Sequence, residues 1–362
     1  MTFASSVFAQ MTWAFPEMAR HGYTNCTACH ISTTGGGVLT PYGRELSKEV
    51  LSTWSREGEQ EFAYNLVRPP DWLTLGADFR SLQQYMDTST ATSAKFIYMQ
   101  GDLEAAATYK KWVLYATFGI SGDSNNGTTS GTPISRDHYL LYRATDELNV
   151  RAGRFQYAYG INLADHEIST KGGLGINDEG SETYNVEASW IGENYNFYLT
   201  GITGRFDDRA MNLDAGISAV ASAAIAGTYK TGLSYLYASN STRTRDVFGP
   251  FGILGFTPHF FLLSEFDFQN IHPSATSPNS QWGMADYQRL DYEFFQGFHV
   301  FLTQELKRLD FKQSSSLAKT YGIGIQFFPR PHFEITTELE MQIQAGSPGY
   351  TDFDFLLMHF YL

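Results

Sequence analysis

The chain is nearly without cysteine: it has two, Cys26 and Cys29, in 362 residues. A disulfide-stapled secreted scaffold needs several pairs in a short chain, so that class is excluded. Charge is also scarce, at 17% of residues, and the little there is leans acidic. There are 25 Lys and Arg against 38 Asp and Glu, a net charge of −13. A nucleic-acid binder needs a basic surface to neutralise phosphates, and nothing here supplies one. No run of 18 apolar residues occurs, so no transmembrane helix is expected. What is plentiful is aromatic: 22 Tyr and 28 Phe, with hydrophobic residues at 43%. That composition is not a disordered chain. Aromatic side chains suit a pleated surface, which points to an all-β protein.

The pattern of residues agrees. In 331–344, Phe333, Ile335, Leu339, Met341 and Ile343 share one face of an extended chain, and Glu334, Glu338, Glu340 and Gln344 share the other. In 259–269, Phe260, Leu262, Phe266 and Phe268 oppose Glu265, Asp267 and Gln269. In 183–190, Tyr184, Val186, Ala188 and Trp190 oppose Thr183, Asn185, Glu187 and Ser189. About sixteen such strands fit between residue 72 and the C-terminus, an even count within the range of outer-membrane barrels. Their centres fall near Ala77, Tyr98, Tyr115, Leu141, Arg151, Glu187, Leu199, Ala219, Leu233, Phe248, Leu263, Arg289, Leu302, Ile323, Thr337 and Leu357. Long connections (122–136, 158–180, 270–280, 345–351) alternate with short turns near Tyr109, Asp146, Glu193, Thr257, Gly297 and Arg330. Short turns at one end and long loops at the other are the habit of a transmembrane barrel. Charges at every second position also need water on one side, and lipid suits the Phe, Leu and Tyr on the other. The expectation is a transmembrane antiparallel β-barrel of about sixteen strands over 71–362, in the bacterial outer membrane. The carboxylates Glu265, Asp267, Glu334, Glu338 and Glu340 are expected to line its lumen and disfavour anions.

Ahead of the barrel the character changes. Residues 1–14 are apolar and rich in small residues, like the end of a secretory signal peptide cleaved near Ala9 or Ala14. Residues 15–70 hold both cysteines, a glycine turn at 35–37 and a helical stretch near 42–54 with Pro41 at its first turn. This small helical and irregular segment is expected to act as a plug.

Its sharpest feature is Cys26-Thr27-Ala28-Cys29-His30, the C-x-x-C-H pattern of covalent c-type haem attachment. Each thiol adds across one haem vinyl group, and the histidine that follows reaches the iron as the proximal ligand. Two other uses of the thiols are a redox disulfide, which would sit on a strand–helix–strand unit, and a zinc site, which needs further ligands nearby. For the distal iron position His21 lies five residues before Cys26, and His166 lies in the long loop 158–180, flanked by Asp165 and Glu167. Met18 is a third and weaker choice, one that raises the potential. His138, His259, His272, His299, His332 and His359 are scattered and read as structural.

On these residues the chain resembles outer-membrane porin–cytochrome proteins, in which a barrel houses or adjoins c-type haem. Here one polypeptide would hold both parts. The long loop after the fifth strand also resembles the loop of general porins that folds into the lumen. The resemblance implies an outer-membrane protein with one covalent haem c, working with periplasmic and extracellular cytochromes to relay electrons. A hydrocarbon layer of about 30 Å is too thick for one haem to bridge alone. Two further functions fit the same residues. One is a diffusion porin whose haem is a plug, gate or sensor. The other is a haem enzyme reducing a small molecule.

Overall fold

We describe a computed structural model of the chain, covering residues 15–88, 90–121, 132–163, 165, 167–177, 180–207, 212–273, 279–347 and 349–362. The proposed leader, 1–14, and His166 lie outside the described residues.

The strands are β1 Leu73–Asp87, β2 Thr92–Tyr109, β3 Trp112–Ser121, β4 Thr132–Ile134, β5 His138–Arg143, β6 Leu148–Phe155, β7 Thr183–Ile191, β8 Tyr195–Ile202 and β9 Ala215–Ile225. They continue with β10 Tyr229–Ser239, β11 Thr244–Thr257, β12 Phe260–Ile271, β13 Gln281–Phe295, β14 Phe298–Arg308, β15 Leu317–Arg330, β16 Phe333–Ile343 and β17 Thr351–Tyr361. Neighbours in the chain pair antiparallel, and both β4 and β5 pair with β3, so together they occupy one position. Seventeen segments therefore make sixteen staves. The ring closes where β1 meets β17, from Asp78 opposite Tyr361 to Asp87 opposite Asp352. Every one of the sixteen expected centres falls inside a strand. A closed ring leaves no unpaired edge, which a bilayer demands.

Alternation sorts side chains between two solvents. Along β10, Leu233 is 64% exposed and Ser234 is 4% exposed. Phe96, Leu103, Phe118 and Ile323 also stand outward. Asp78, Arg80, Glu187, Glu265 and Glu334 point inward and are buried. An outer face of this kind is stable only against lipid. At one end the connections are short, such as 110–111, 192–194, 296–297 and 331–332, and at the other they are mostly longer.

The lumen is filled from both ends. From the short-turn end comes the N-terminal segment. Its helix α1, Pro41–Leu46, starts where Thr40 caps it, the hydroxyl accepting from Gly43 N at 3.0 Å. A π-turn over Ser47–Leu51 continues it. From the long-loop end comes the connection 156–182, as the porin resemblance implied. Its Ile161 N donates to Glu265 at 2.6 Å, its Tyr159 hydroxyl to Asp267 at 2.8 Å, and its Ser169 N to Glu305 at 2.7 Å. The hydrophobic core is thus inside the ring. Ile31 and Val38 of the plug pack on Val113, Tyr115 and Leu141 of the wall. Tyr157, Leu174 and Ile176 of the loop pack on Leu236 and Val247.

Candidate functional site

The cysteine motif folds as one tight turn. Residues Cys26–Ala28 form a single 3-10 turn, and the amides of Cys29 and His30 both donate to Cys26 O, at 3.2 and 2.9 Å. Cys26, Cys29 and His30 are thereby brought to the wall of one cavity. The chain then runs out and back as a small hairpin. His30 pairs with Leu39, Ile31 N donates to Val38 O at 3.1 Å, and Thr40 N donates to Cys29 O at 2.8 Å. Its tip needs Gly35, Gly36 and Gly37, whose φ values are 85°, 75° and 63°.

Wall and loop hold that hairpin in register. Arg151 on β6 donates to the Ser32 hydroxyl at 3.1 Å and the Thr34 hydroxyl at 3.2 Å, and pairs with Glu187 at 2.8 Å. The Thr33 hydroxyl donates to the same Glu187 at 2.9 Å, and the Tyr198 hydroxyl to Thr33 O at 3.0 Å. Below it the segment is tied to the short turns. Asn25 donates to Gly192 O at 2.9 Å, Thr53 to Gln296 O at 2.7 Å, and Gln296 to Ser52 O at 2.8 Å. Residues 15–72 therefore stand across the short-turn mouth as a plug.

The cavity encloses about 1320 Å³ of atom-free space, part of it open to solvent. Its lining is mainly apolar and includes Met18, Leu46, Val220, Phe251 and Ile253. Both thiols are free. Burial, and then the neighbouring Cys26, push the Cys29 thiol up to about 11. Burial holds the His30 imidazole down to about 4, although the backbone of Gly36 and Gly37 favours its charged form. His30 is buried, and its Nδ1 has no hydrogen-bond partner. A buried imidazole with an unpartnered nitrogen and two free thiols on one mainly apolar cavity wall are the groups a c-type haem would need. Among the described residues no group of three or more His, Cys, Asp or Glu is placed to hold a metal ion, so zinc gains no support.

The other expected ligands are placed differently. His21 is not on the cavity wall: its Nε2 accepts from Arg20 Nε at 2.9 Å. Burial and the Arg20 charge lower its pKa to about 4. Asp165 and Glu167, which flank His166, line a second cavity toward the long loops, and Met18 lines the first. That second cavity, about 2790 Å³ including open solvent, also holds Glu305, Glu334, Glu338 and Glu340. Three of the five carboxylates expected in the lumen thus line this second cavity, with Glu334 and Glu338 buried in its wall. Glu265 and Asp267 are spent on the inward loop.

No family model matches the chain, and no curated relative does. Solved structures do. An anion-selective porin from Comamonas acidovorans superposes with a TM-score of 0.61 at 10% identity, over 80% of this chain and 99% of that one. The fold is that of an outer-membrane porin. In-vitro folded OmpT of Vibrio cholerae gives 0.59 at 10% identity, over 82% and 100%. The DcaP channel of Acinetobacter baumannii gives 0.57 at 8%, over 80% and 97%. The bacterial outer membrane is the compartment for which this porin barrel is built, and its apolar outer face agrees.

Proposed function

We propose that this porin-type barrel carries one covalently attached haem c in the short-turn half of its lumen and passes electrons between periplasmic and external carriers. The supporting observation is that Cys26, Cys29 and His30 line one mainly apolar cavity inside the ring. When bound, haem supplies a one-electron iron centre. Cys26 and Cys29 would anchor it, and the buried His30 would ligate the iron. Leu46, Phe251 and Ile253 exclude water, and the plug blocks bulk solute flow at the short-turn mouth. One site does not span a layer of about 30 Å, so cytochrome partners are needed at the mouths.

The acidic vestibule at the long-loop mouth favours a second reading, a diffusion porin for cationic solutes in which the segment 15–72 is a gate. One preparation separates the two. The protein is purified from outer membranes of a host with c-type maturation, denatured, stained for covalent haem, and placed in sealed liposomes between an external donor and an internal acceptor. Covalent haem that disappears in Cys26→Ala or Cys29→Ala, with electron flux and no solute flux, is the expected result. Solute flux without haem overturns the proposal and leaves the gated porin.

A further inference from the structure

The cavity wall also bears on the second axial ligand of the iron. Several lining groups have lone pairs that suit iron, and nearly all are already engaged. His359 faces Glu334 with Nδ1 at 2.9 Å and Asp78 with Nε2 at 3.1 Å. The Tyr198 hydroxyl donates to Thr33 O at 3.0 Å, and that of Tyr159 to Asp267 at 2.8 Å. The Tyr361 hydroxyl is bonded to Ser47 at 3.1 Å, and that of Tyr23 to Tyr42 at 3.0 Å. Lys230 donates to Thr24 O at 2.9 Å. Binding iron through any of these breaks a bond, and for all but the exposed Tyr23–Tyr42 pair it leaves a partly or fully buried partner unpaired, which costs about 1–3 kcal/mol.

Met18 carries no such cost. Its side chain is buried at 9% exposure in a cluster with Leu46, Leu51 and Phe328, and Cys29 packs against that same cluster. A thioether forms only weak hydrogen bonds, so it gives up little by turning to a metal, and its unbranched stem adapts to the distance required. The backbone that carries it is fixed. Met18 sits in the 3-10 turn Pro16–His21, which ends at Gly22 with φ 88°. Two residues on, Arg20 is paired with Glu293 at 3.2 Å and stacks 5.0 Å from the Phe261 ring.

We infer that Met18, rather than a histidine, is the second axial ligand of the haem iron. This rests on the haem reading above, and deepens it, since a Met/His pair sets a higher potential than two imidazoles. The site is therefore suited to accepting electrons from donors too weak for a bis-histidine haem.

The test uses the full chain, matured with covalent haem. Magnetic circular dichroism and a redox titration are taken for wild type, Met18→Leu, Met18→His, His21→Ala and His166→Ala. Met18→Leu keeps the packing and removes the sulfur. The expected result is thioether ligation in the wild type, lost in Met18→Leu with the covalent stain retained. Met18→His should then give a bis-imidazole spectrum and a lower potential. An unchanged Met18→Leu spectrum, or loss of the six-coordinate signal in either alanine variant alone, overturns the inference while leaving the haem in place. Absence of the stain in the wild type overturns the underlying haem reading instead.

Discussion

The two halves of the lumen are built from the same staves and differ in what fills them. Toward the long loops the inward positions of β14, β15 and β16 line the second cavity, with Glu305, Glu338 and Glu340 on its wall. Toward the short turns, inward positions of β6, β7, β9 and β11 meet the plug and loop. There Arg151 and Glu187 are buried and paired, and Val220, Phe251 and Ile253 are apolar. The strand rule alone yields an acidic water-filled channel. The mainly apolar cavity arises because 15–72 brings its own apolar surface into half of that channel.

Removing the plug should erase the difference, and this is the largest effect expected. A chain starting at residue 70 should conduct ions in planar bilayers at the level of an open barrel, where the full chain conducts little. Equal conductance of the two would show that the plug does not seal. Next is Arg151→Ala, which leaves Glu187 buried without its cation. Breaking a buried pair costs about 3–5 kcal/mol. Urea unfolding in detergent should show that loss, and Lys319→Ala, at the open vestibule, should cost little. Gly37→Ala should cost about 1–3 kcal/mol, because its φ of 63° is strained for alanine. The added methyl would also overlap the Tyr115 hydroxyl. Here the sensitive measurement is protease cleavage within 15–72 rather than global melting.

The smallest effect is a pH dependence at the mouth. His332, in the short turn between β15 and β16, is held at about 4 by burial and then by the Arg44 charge, against an ordinary 6.5. The neutral ring is the one the fold accepts, and a released plug lets it protonate first. Docking is therefore at full strength above about 6.5 and weakens as pH falls toward 4. Hydrogen exchange in 44–62 should quicken over that window, and His332→Gln should flatten it. An identical pH response in that variant would assign the effect to other groups.

Much of the barrel was legible in the sequence because its two solvents impose a period of two. The centres from Ala77 to Leu357 were readable for that reason, as were the short turns at Gly297 and Arg330. The start of α1 was readable at Pro41, but its π-turn over Ser47–Leu51 was not, since docking against Gln296 and Phe328 shapes it. Inward apolar residues such as Leu236 and Val247 look like faults in the alternation until the loop they seat is seen. The motif at Cys26, Cys29 and His30 was local and therefore visible. The lining of the cavity was not, because it draws on β9, β11 and the loop 156–182 at once. His21 illustrates the limit: proximity in the chain suggested a ligand, and a one-residue step along a 3-10 turn faces it to Arg20.

The plug is tied to both sides of the barrel's seam. Arg44 donates to Leu75 O on β1, and Ser47 is bonded to Tyr361 on β17. Those two strands are the first and last in the chain, so the seam is the final joint that synthesis allows. The plug precedes both, and it is enclosed once they meet. A bulky group bonded to Cys26 and Cys29 is most easily installed while this segment is still an extended leader with its thiols in the open. On the proposed haem reading, the group would have to be attached before the ring shuts around the segment.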